Sequence, residues 1–129
     1  MFWNPTESEI DIYQKISPHM QAFVYELFNA GIPLLIGTDL TTFGIIPGYS
    51  LHEEMKLWQD AGIPPAEVLR SATVTPARVF NKESDIGTIE PGKMASMVIV
   101  RGNPLEDISH ADEIAAVFLR GQPVVNSLS

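Results

Sequence analysis

The chain has 129 residues, of which 45% are hydrophobic, and this suffices for one ordinary domain or for two small pieces that share a core. Sixteen acidic side chains against eight basic ones give a net charge of -8. This charge argues against a nucleic-acid surface, because phosphate binding requires clusters of Lys and Arg. The absence of cysteine excludes disulfides, thiolate nucleophiles and Cys-ligated zinc.

Targeting and membrane signals are absent from the printed sequence. No basic N-terminal segment precedes an apolar one, and no apolar run approaches the roughly 20 residues that a membrane-spanning helix needs. We therefore expect a soluble, cytoplasmic protein that binds neither nucleic acid nor membranes.

The first predicted element is an amphipathic helix from about Pro18 to Ala30. Ser17 is typical of an N-cap, Pro suits the first helical position, and Gly31 suits the position after the last turn. Five apolar side chains fall on one face of this helix, namely Met20, Phe23, Val24, Leu27 and Phe28. The residues before Ser17 are predicted as a loose lead-in with at most a short helical turn.

An almost continuous apolar run follows from Ile32 and ends in Gly37, Thr38 and Asp39. This pattern is typical of a strand that is buried on both faces and whose last residue points into a site. A helix followed directly by such a strand is half of an α/β unit, and α/β proteins keep their sites at the carboxyl ends of strands. Asp39 is therefore where we expect chemistry. No second run of this kind occurs, although a buried parallel strand needs neighbours on both sides.

From the residues alone, Asp39 has two interpretations. It could cap the next turn through its side chain, as Asp often does near Gly and Thr. Alternatively, it is a functional carboxylate at the end of a strand. A single carboxylate does not hold a catalytic zinc ion, because such a site needs about three protein ligands and an open position for water.

Three helical segments are predicted after the loop that follows Asp39. Ser50 and Glu53 match the S-x-x-E capping box at the start of a helix from about Leu51 to Ala61. Pro64 and Pro65 begin the next helix, and Thr75-Pro76 caps a short turn from Ala77 to Phe80.

The last third of the sequence predicts a small, mainly antiparallel sheet. Its predicted strands are Ile86 to Ile89, Ser96 to Val100, Ala115 to Leu119 and Pro123 to Asn126. Pro91 and Gly92 favour a type II turn between the first two, and Arg120-Gly121-Gln122 favours a tight hairpin between the last two.

Several short motifs occur in a particular order along the chain. They are Gly37-Thr38-Asp39, Pro47-Gly48, Leu51-His52-Glu53-Glu54, Ala61-Gly62, the run from Ala72 to Arg78, the run from Ile86 to Lys93, and Gly102-Asn103-Pro104-Leu105. In this order they resemble the C-terminal part of the metal-dependent amidohydrolases. The resemblance covers roughly Phe23 to Val125 and is closest to the subgroup of imidazolonepropionase-like and Xaa-Pro dipeptidase-like enzymes.

The resemblance implies an α/β fold that is the C-terminal fragment of a (β/α)8 barrel, followed by a small antiparallel sheet that belongs to the family's β-sandwich. Pro33 to Thr38 would be the last barrel strand, and Leu51 to Ala61 the helix after it. Residues 1–80 would form the partial barrel, and residues 81–129 the C-terminal part of the composite β-sandwich domain.

The resemblance also implies a catalytic site. Asp39 matches the aspartate that ligates the metal, which is zinc or another divalent cation, and that takes a proton from the attacking water. Thr41 and His52 match positions that line the substrate. The other ligands of the family include a His-x-His pair, which this chain lacks. We therefore expect the chain by itself to be inactive, and whether it binds any metal alone is left open.

For the histidines and for Thr41 the residues also allow a plain interpretation. For this isolated chain the residues favour a solvated His52 in the first turn of a helix, and Thr41 is a common loop residue. Glu53 is explained by capping. His19 and His110 lie among polar residues and are predicted to be surface histidines.

Two functions remain open from the sequence. The first is hydrolysis of a non-peptide or dipeptide C–N bond, an amide or a cyclic amide, by the complete enzyme. The second is a non-catalytic assembly module, a truncated or split amidohydrolase, that oligomerises through the exposed edges of the strand from Pro33 to Gly37. The expected partners are a small-molecule amide substrate and either a second copy of the chain or a polypeptide that supplies the missing barrel half.

Overall fold

The structure, a computed structural model, describes residues 6–39 and 45–126. Within these ranges the chain forms four α-helices, one 3-10 helix and three strands. The α-helices are α1 (Glu7–Asn29), α2 (Tyr49–Asp60), α3 (Pro65–Ala72) and α4 (Val74–Val79); the strands are β1 (Met97–Val100), β2 (Ile114–Leu119) and β3 (Gln122–Asn126); the 3-10 helix η1 (Ile108–Asp112) lies between β1 and β2. Across the described residues, every helix is too short or too polar to cross a membrane.

Helix α1 begins well before its predicted start. The Thr6 hydroxyl accepts a hydrogen bond from the Glu9 N–H at 3.4 Å, and the Glu9 carboxylate accepts one from the Thr6 N–H at 2.8 Å. This capping box satisfies two free amides at the helix start, and Pro18 therefore lies inside the helix. The prediction of a loose lead-in and a helix start at Pro18 is therefore wrong for the described residues. The helix is capped by Thr6 and Glu9 and not by Ser17 and Pro18.

The predicted capping box of α2 is also wrong. The helix begins at Tyr49 after Gly48 and has no side-chain cap. The Ser50 hydroxyl instead accepts a hydrogen bond from the Ile46 N–H at 2.8 Å, and the Glu53 carboxylate lies 3.3 Å from the Lys56 ammonium. The helices that follow confirm the predicted pattern, although α4 starts at Val74 rather than Ala77.

Two predicted strands are absent from the described residues. Residues 32–39, called the extended segment below, have no regular secondary structure and no strand partner. The apolar run is present, but a strand is defined by pairing, and this segment pairs with none of the three described strands. Residues 86–89 form turns and bends rather than a strand. Both strand predictions are therefore wrong for the described part of this chain.

The remaining strands confirm the predicted antiparallel sheet, with the order β1-β2-β3. Val117 of β2 pairs with Val98 on one side and with Val125 on the other. Arg120 and Gly121 join β2 to β3 with φ angles of 51° and 80°. Two consecutive positive φ angles are what a two-residue type I′ hairpin requires, so the predicted hairpin is confirmed.

The core joins the helices to the β1–β2 connection. Four buried side chains form its centre, namely Met55, Ile63, Val68 and Ile108. Others pack around them from α1, the extended segment, α2, α3 and η1: Val24, Phe28, Ile36, Trp58, Leu69 and Ala111. The Ile108 N–H donates to the Gln59 side-chain oxygen at 2.8 Å, which fixes η1 on α2. The division at residue 80 stays a prediction, although this cluster takes side chains from both sides of it.

Gly87 lies in a position that only glycine fits. Its φ is 97°, and a Cβ there would lie 2.7 Å from the Ala77 Cβ and 3.3 Å from the Thr73 carbonyl oxygen. Gly92 has a similar φ of 93°, but a Cβ at that position would have no atom within 4 Å of it. Comparing the two glycines therefore separates backbone strain from steric overlap.

We expect Gly87→Ala to lower the free energy of unfolding by about 2–4 kcal/mol, because left-handed strain and overlap with α4 add. Gly92→Ala should cost about 1–2 kcal/mol, from strain alone. Urea denaturation followed by circular dichroism measures both. Equal losses in the two variants would contradict the packing of residue 87 against α4.

His110 holds the β1–β2 connection closed. Its Nδ1 lies 3.0 Å from the Asn103 carbonyl oxygen, and its Nε2 lies 3.9 Å from the Glu113 carboxylate. The hydrogen bond to Asn103 raises the pKa of the imidazole above its ordinary value of 6.5. Partial desolvation lowers this pKa, but the negative charges of Glu113, Asp107 and Glu106 raise it further. The protonated ring is thus the form that the fold favours.

A raised pKa in the folded state makes stability depend on pH. The contribution of His110 should be fully present below pH 6.5 and should be lost as the pH rises through the higher pKa of the folded state. We expect the thermal unfolding midpoint of His110→Gln to fall below that of the wild type more at pH 5.5 than at pH 8.5. His19→Gln, at an exposed position of α1, is the control. Parallel profiles for wild type and His110→Gln would contradict this.

Candidate active site around Asp39

The extended segment is anchored on its inner side by Ile36. The Ile36 side chain packs on the core, and its N–H donates to the Ser71 carbonyl oxygen at 3.2 Å. Ser71 lies in the last turn of α3, where carbonyl groups have no partner within the helix. The Ile36 amide therefore satisfies a free carbonyl of α3. In a strand, the same amide would have been available to pair with a neighbouring strand.

The next amide is held by α2. The Gly37 N–H donates to the Oε1 atom of Glu54 at 3.2 Å. Glu54 is partly buried, and this burial raises the pKa of its carboxyl above the ordinary value. The hydrogen bond from Gly37 lowers this pKa in part, whereas the nearby charge of Asp39 raises it further. The sequence assigns no role to Glu54, because of the two adjacent glutamates it is Glu53 that matches the capping-box pattern.

Asp39 lies at the end of the extended segment with its side chain exposed. Its φ is 47°, which is uncommon for a residue other than glycine. The predicted site residue thus has an accessible carboxylate, with the Glu54 carboxylate near enough to interact with it electrostatically. Two such groups can accept protons or contribute oxygen ligands to a cation.

His52 lies in the first half of α2 and is partly buried. Two helical positions separate it from Glu54, a rotation of about 200°, so the two side chains leave opposite sides of the helix. The His52 Nδ1 is buried and has no hydrogen-bond partner among the described residues. The structure therefore directs His52 away from the side of α2 that holds Gly37.

The side of α2 that bears His52 faces η1. Asp112 of η1 accepts a hydrogen bond from Lys56 at 2.8 Å, and this bond lowers the pKa of the Asp112 carboxyl, with smaller contributions from the charges of Lys56, His52 and His110. The substrate-lining role of His52 stays a prediction. Thr41, the other predicted substrate residue, lies outside the described residues.

The donor set near Asp39 does not make a complete metal centre. In residues 6–39 and 45–126, no group of three or more His, Asp or Glu side chains is arranged to hold an ion. Asp39 and Glu54 are two carboxylates, whereas a catalytic zinc site needs about three protein ligands. His19 is exposed on α1, and His110 is engaged at the β1–β2 connection.

A shallow cavity of about 210 Å³ lies elsewhere, between α4 and the turns before β1. Its charged side chains include Arg78, Glu83, Glu90 and Lys93. Lys93 contacts the Thr88 hydroxyl and lies 3.5 Å from the Glu90 carboxylate. The cavity is lined by α4 and by the turns that follow it, and Asp39 is not among its lining residues.

The chain is similar in sequence to known proteins over most of its length. The profile of the amidohydrolase family matches residues 7–124. Imidazolonepropionase from Geobacillus kaustophilus (strain HTA426) is 36% identical over 74 residues, which are 57% of this chain and 17% of that protein. Adenine deaminase 1 from Latilactobacillus sakei subsp. sakei (strain 23K) is 30% identical over 86 residues, which are 67% of this chain and 14% of that protein.

Solved structures agree with these relatives. A Xaa-Pro dipeptidase with methionine bound in its active site superposes with a TM-score of 0.69 at 29% identity, over 82% of this chain and 25% of that one. Phenylurea hydrolase B superposes with a TM-score of 0.57 at 31% identity, over 60% of this chain and 17% of that one. The chain thus spans 17% of the Geobacillus kaustophilus relative and 25% of the dipeptidase.

Proposed function

The chain belongs to the amidohydrolase family, and from that premise we propose that it is the C-terminal part of a metal-dependent hydrolase of amide or cyclic-amide C–N bonds. The observation that carries this proposal is the exposed Asp39 at the end of the extended segment, inside a family match that runs from residue 7 to residue 124. Relatives named imidazolonepropionase and Xaa-Pro dipeptidase support a small substrate, non-peptide or dipeptide.

In this proposal the extended segment is the last strand of a (β/α)8 barrel, and α2 is the helix after it. The sheet β1-β2-β3 is the C-terminal share of the β-sandwich. The apolar run without a strand partner supports this assignment, because a strand buried on both faces needs a neighbour on each side. The neighbours would come from the part of the enzyme that this chain does not include.

The proposed role of Asp39 is general acid–base catalysis. Its exposed carboxylate accepts a proton from the attacking water and later donates that proton to the leaving nitrogen, which changes a poor leaving group into a neutral amine. In the complete enzyme Asp39 would also be one ligand of zinc or another divalent cation. The two carboxylates near the extended segment do not complete such a site among the described residues, so we propose that the other ligands come from the rest of the enzyme.

Thr41 and His52 are proposed to line the substrate. For His52 this needs a substrate pocket that extends around the side of α2 opposite Glu54, and its buried Nδ1 without a partner among the described residues leaves one hydrogen-bonding atom for such a contact. An exposed apolar surface on α1 fits both functions, so it does not favour the alternative of a non-catalytic module.

We expect the purified 129-residue chain to hydrolyse neither Xaa-Pro dipeptides nor cyclic amides, with or without added Zn²⁺, because the ligand set of the described residues is incomplete. Mixed with a polypeptide that carries the His-x-His half, it should gain activity. In that mixture Asp39→Asn should lower kcat about 100-fold to 10,000-fold, the usual contribution of a general base. Asp60→Asn, at an exposed end of α2, is the matched control. Robust turnover by the chain alone would sink the proposal.

The proposed partner contacts begin at α1. This helix has no buried residue, and three apolar side chains on one side of it are largely exposed: Ile16 (45%), Met20 (62%) and Phe23 (60%). A contiguous apolar stripe of this kind is typical of a surface that another polypeptide covers. We propose that the missing barrel half covers it, and that in its absence a second copy of the chain does.

Light scattering on the purified chain should therefore report a dimer or a higher oligomer. The double variant Met20→Glu/Phe23→Glu should shift the mass toward the monomer, because two buried charges oppose association. Ala22→Glu adds one charge at an exposed position on the other side of α1 and should leave the mass unchanged. A stable monomer for the wild type would count against the proposal.

A further inference from the structure

The direction of Asp39 depends on how the backbone before it is held. Ile36 and Gly37 are consecutive, and their amides donate to two different helices, to Ser71 of α3 and to Glu54 of α2, at 3.2 Å each. Ser71 accepts through its backbone carbonyl, whereas Glu54 acts through its side chain. The extended segment has no ladder in the described residues, so these bonds take the place of strand pairing at its end.

The backbone becomes left-handed two residues after the Glu54 contact, because Asp39 has a φ of 47°. This conformation is disfavoured for a residue with a side chain, although Asp adopts it more readily than most, so surrounding contacts help to hold it. The Gly37 amide is fixed two residues before Asp39 by its hydrogen bond to Glu54. Any loosening at Gly37 therefore acts directly on the direction in which Asp39 leaves the segment.

The neighbouring acid does not share this role. Glu53 lies on another side of α2, where its carboxylate is 3.3 Å from the Lys56 ammonium, and Lys56 in turn contacts Asp112 at 2.8 Å. Glu53 thus belongs to the contacts between α2 and η1. The two adjacent glutamates form a matched pair in which one side chain reaches the extended segment and the other does not.

We propose that Glu54 is a positioning residue, which fixes the Gly37 amide with its carboxylate and thereby sets the backbone geometry from which Asp39 is presented. The proposal rests on the role proposed above for Asp39, and it extends that role to a side chain that touches neither substrate nor metal. A glutamine can accept the same hydrogen bond through its amide oxygen, whereas alanine has no acceptor and the methionine thioether is only a weak one.

The test is nuclear magnetic resonance on the whole 129-residue chain. In Glu54→Ala, amide exchange at Gly37 should accelerate at least about tenfold, and Asp39 should lose the strong intraresidue amide-to-Hα Overhauser effect that a positive φ produces. Glu54→Gln should restore both signals to near their wild-type values. Glu53→Ala should change neither. Methyl signals of Met55 and Val68 in the core report that each variant stays folded.

Two results would overturn the proposal. One is an unchanged Gly37 exchange rate in Glu54→Ala, and the other is a faster exchange at Gly37 with Asp39 unaltered. If Glu54→Ala fails to fold, Glu54→Met keeps the volume of the side chain and gives the same comparison.

These readouts are independent of catalysis. If Asp39→Asn left the assembled enzyme fully active, the proposed function would fail, while the signals of Gly37 and Asp39 would still report whether Glu54 positions the backbone. Conversely, normal signals in Glu54→Ala together with an inactive Asp39→Asn would reject the positioning role and retain the function. In the assembled enzyme, a lowered kcat with little change in KM for Glu54→Ala, rescued in Glu54→Gln, would match positioning.

Discussion

The placement of the candidate site depends on two hydrogen bonds that consecutive backbone amides donate. The Ile36 amide donates to Ser71, and the Gly37 amide donates to Glu54. Helices α3 and α2 supply the two acceptors, α3 through a free carbonyl at its last turn and α2 through a side chain. The extended segment is thereby held at its end without a strand beside it.

Those two helices are themselves held by the core, and the core reaches the sheet through η1. Ile108 is 2% exposed and packs with Met55 and Val68, while Gln59 accepts a hydrogen bond from its N–H. Full burial of such a side chain contributes about 1.5–3 kcal/mol, whereas exposed ion pairs such as that of Lys56 and Asp112 contribute little. Apolar packing at Ile108 therefore contributes more to this attachment than the ion pair of Lys56 and Asp112 does.

Local chemistry was the part of the fold that could be predicted. The hairpin at Arg120 and Gly121 and the strands β1, β2 and β3 follow from turn residues and alternation, which act over a few positions. The start of α1 was missed because two capping signals compete, and the box of Thr6 and Glu9 prevails. The strand after Gly31 was overpredicted for another reason: an apolar run is a local property, but pairing depends on what lies beside it.

The candidate site, like the fold, could be predicted only in part. Asp39 could be found, because the end of an apolar run and the order of the surrounding motifs both indicate it. Glu54 could not, because only the rotation of α2 about its axis, set by burial of Met55 on the core, decides which of two adjacent glutamates faces the extended segment. Thr41 and His52 stay predictions, since one lies outside the described residues and the other faces η1.

The same hydrogen bonds limit how a neighbouring strand could pair with the extended segment. The amide donors of Ile36 and Gly37 are already used, so a strand from the rest of the enzyme would have to take its donors from other residues of the segment, such as Leu34, Leu35 and Thr38. If the segment is the last barrel strand, as proposed, Asp39 follows its carboxyl end, which is the end where groups from other strands of an α/β protein converge.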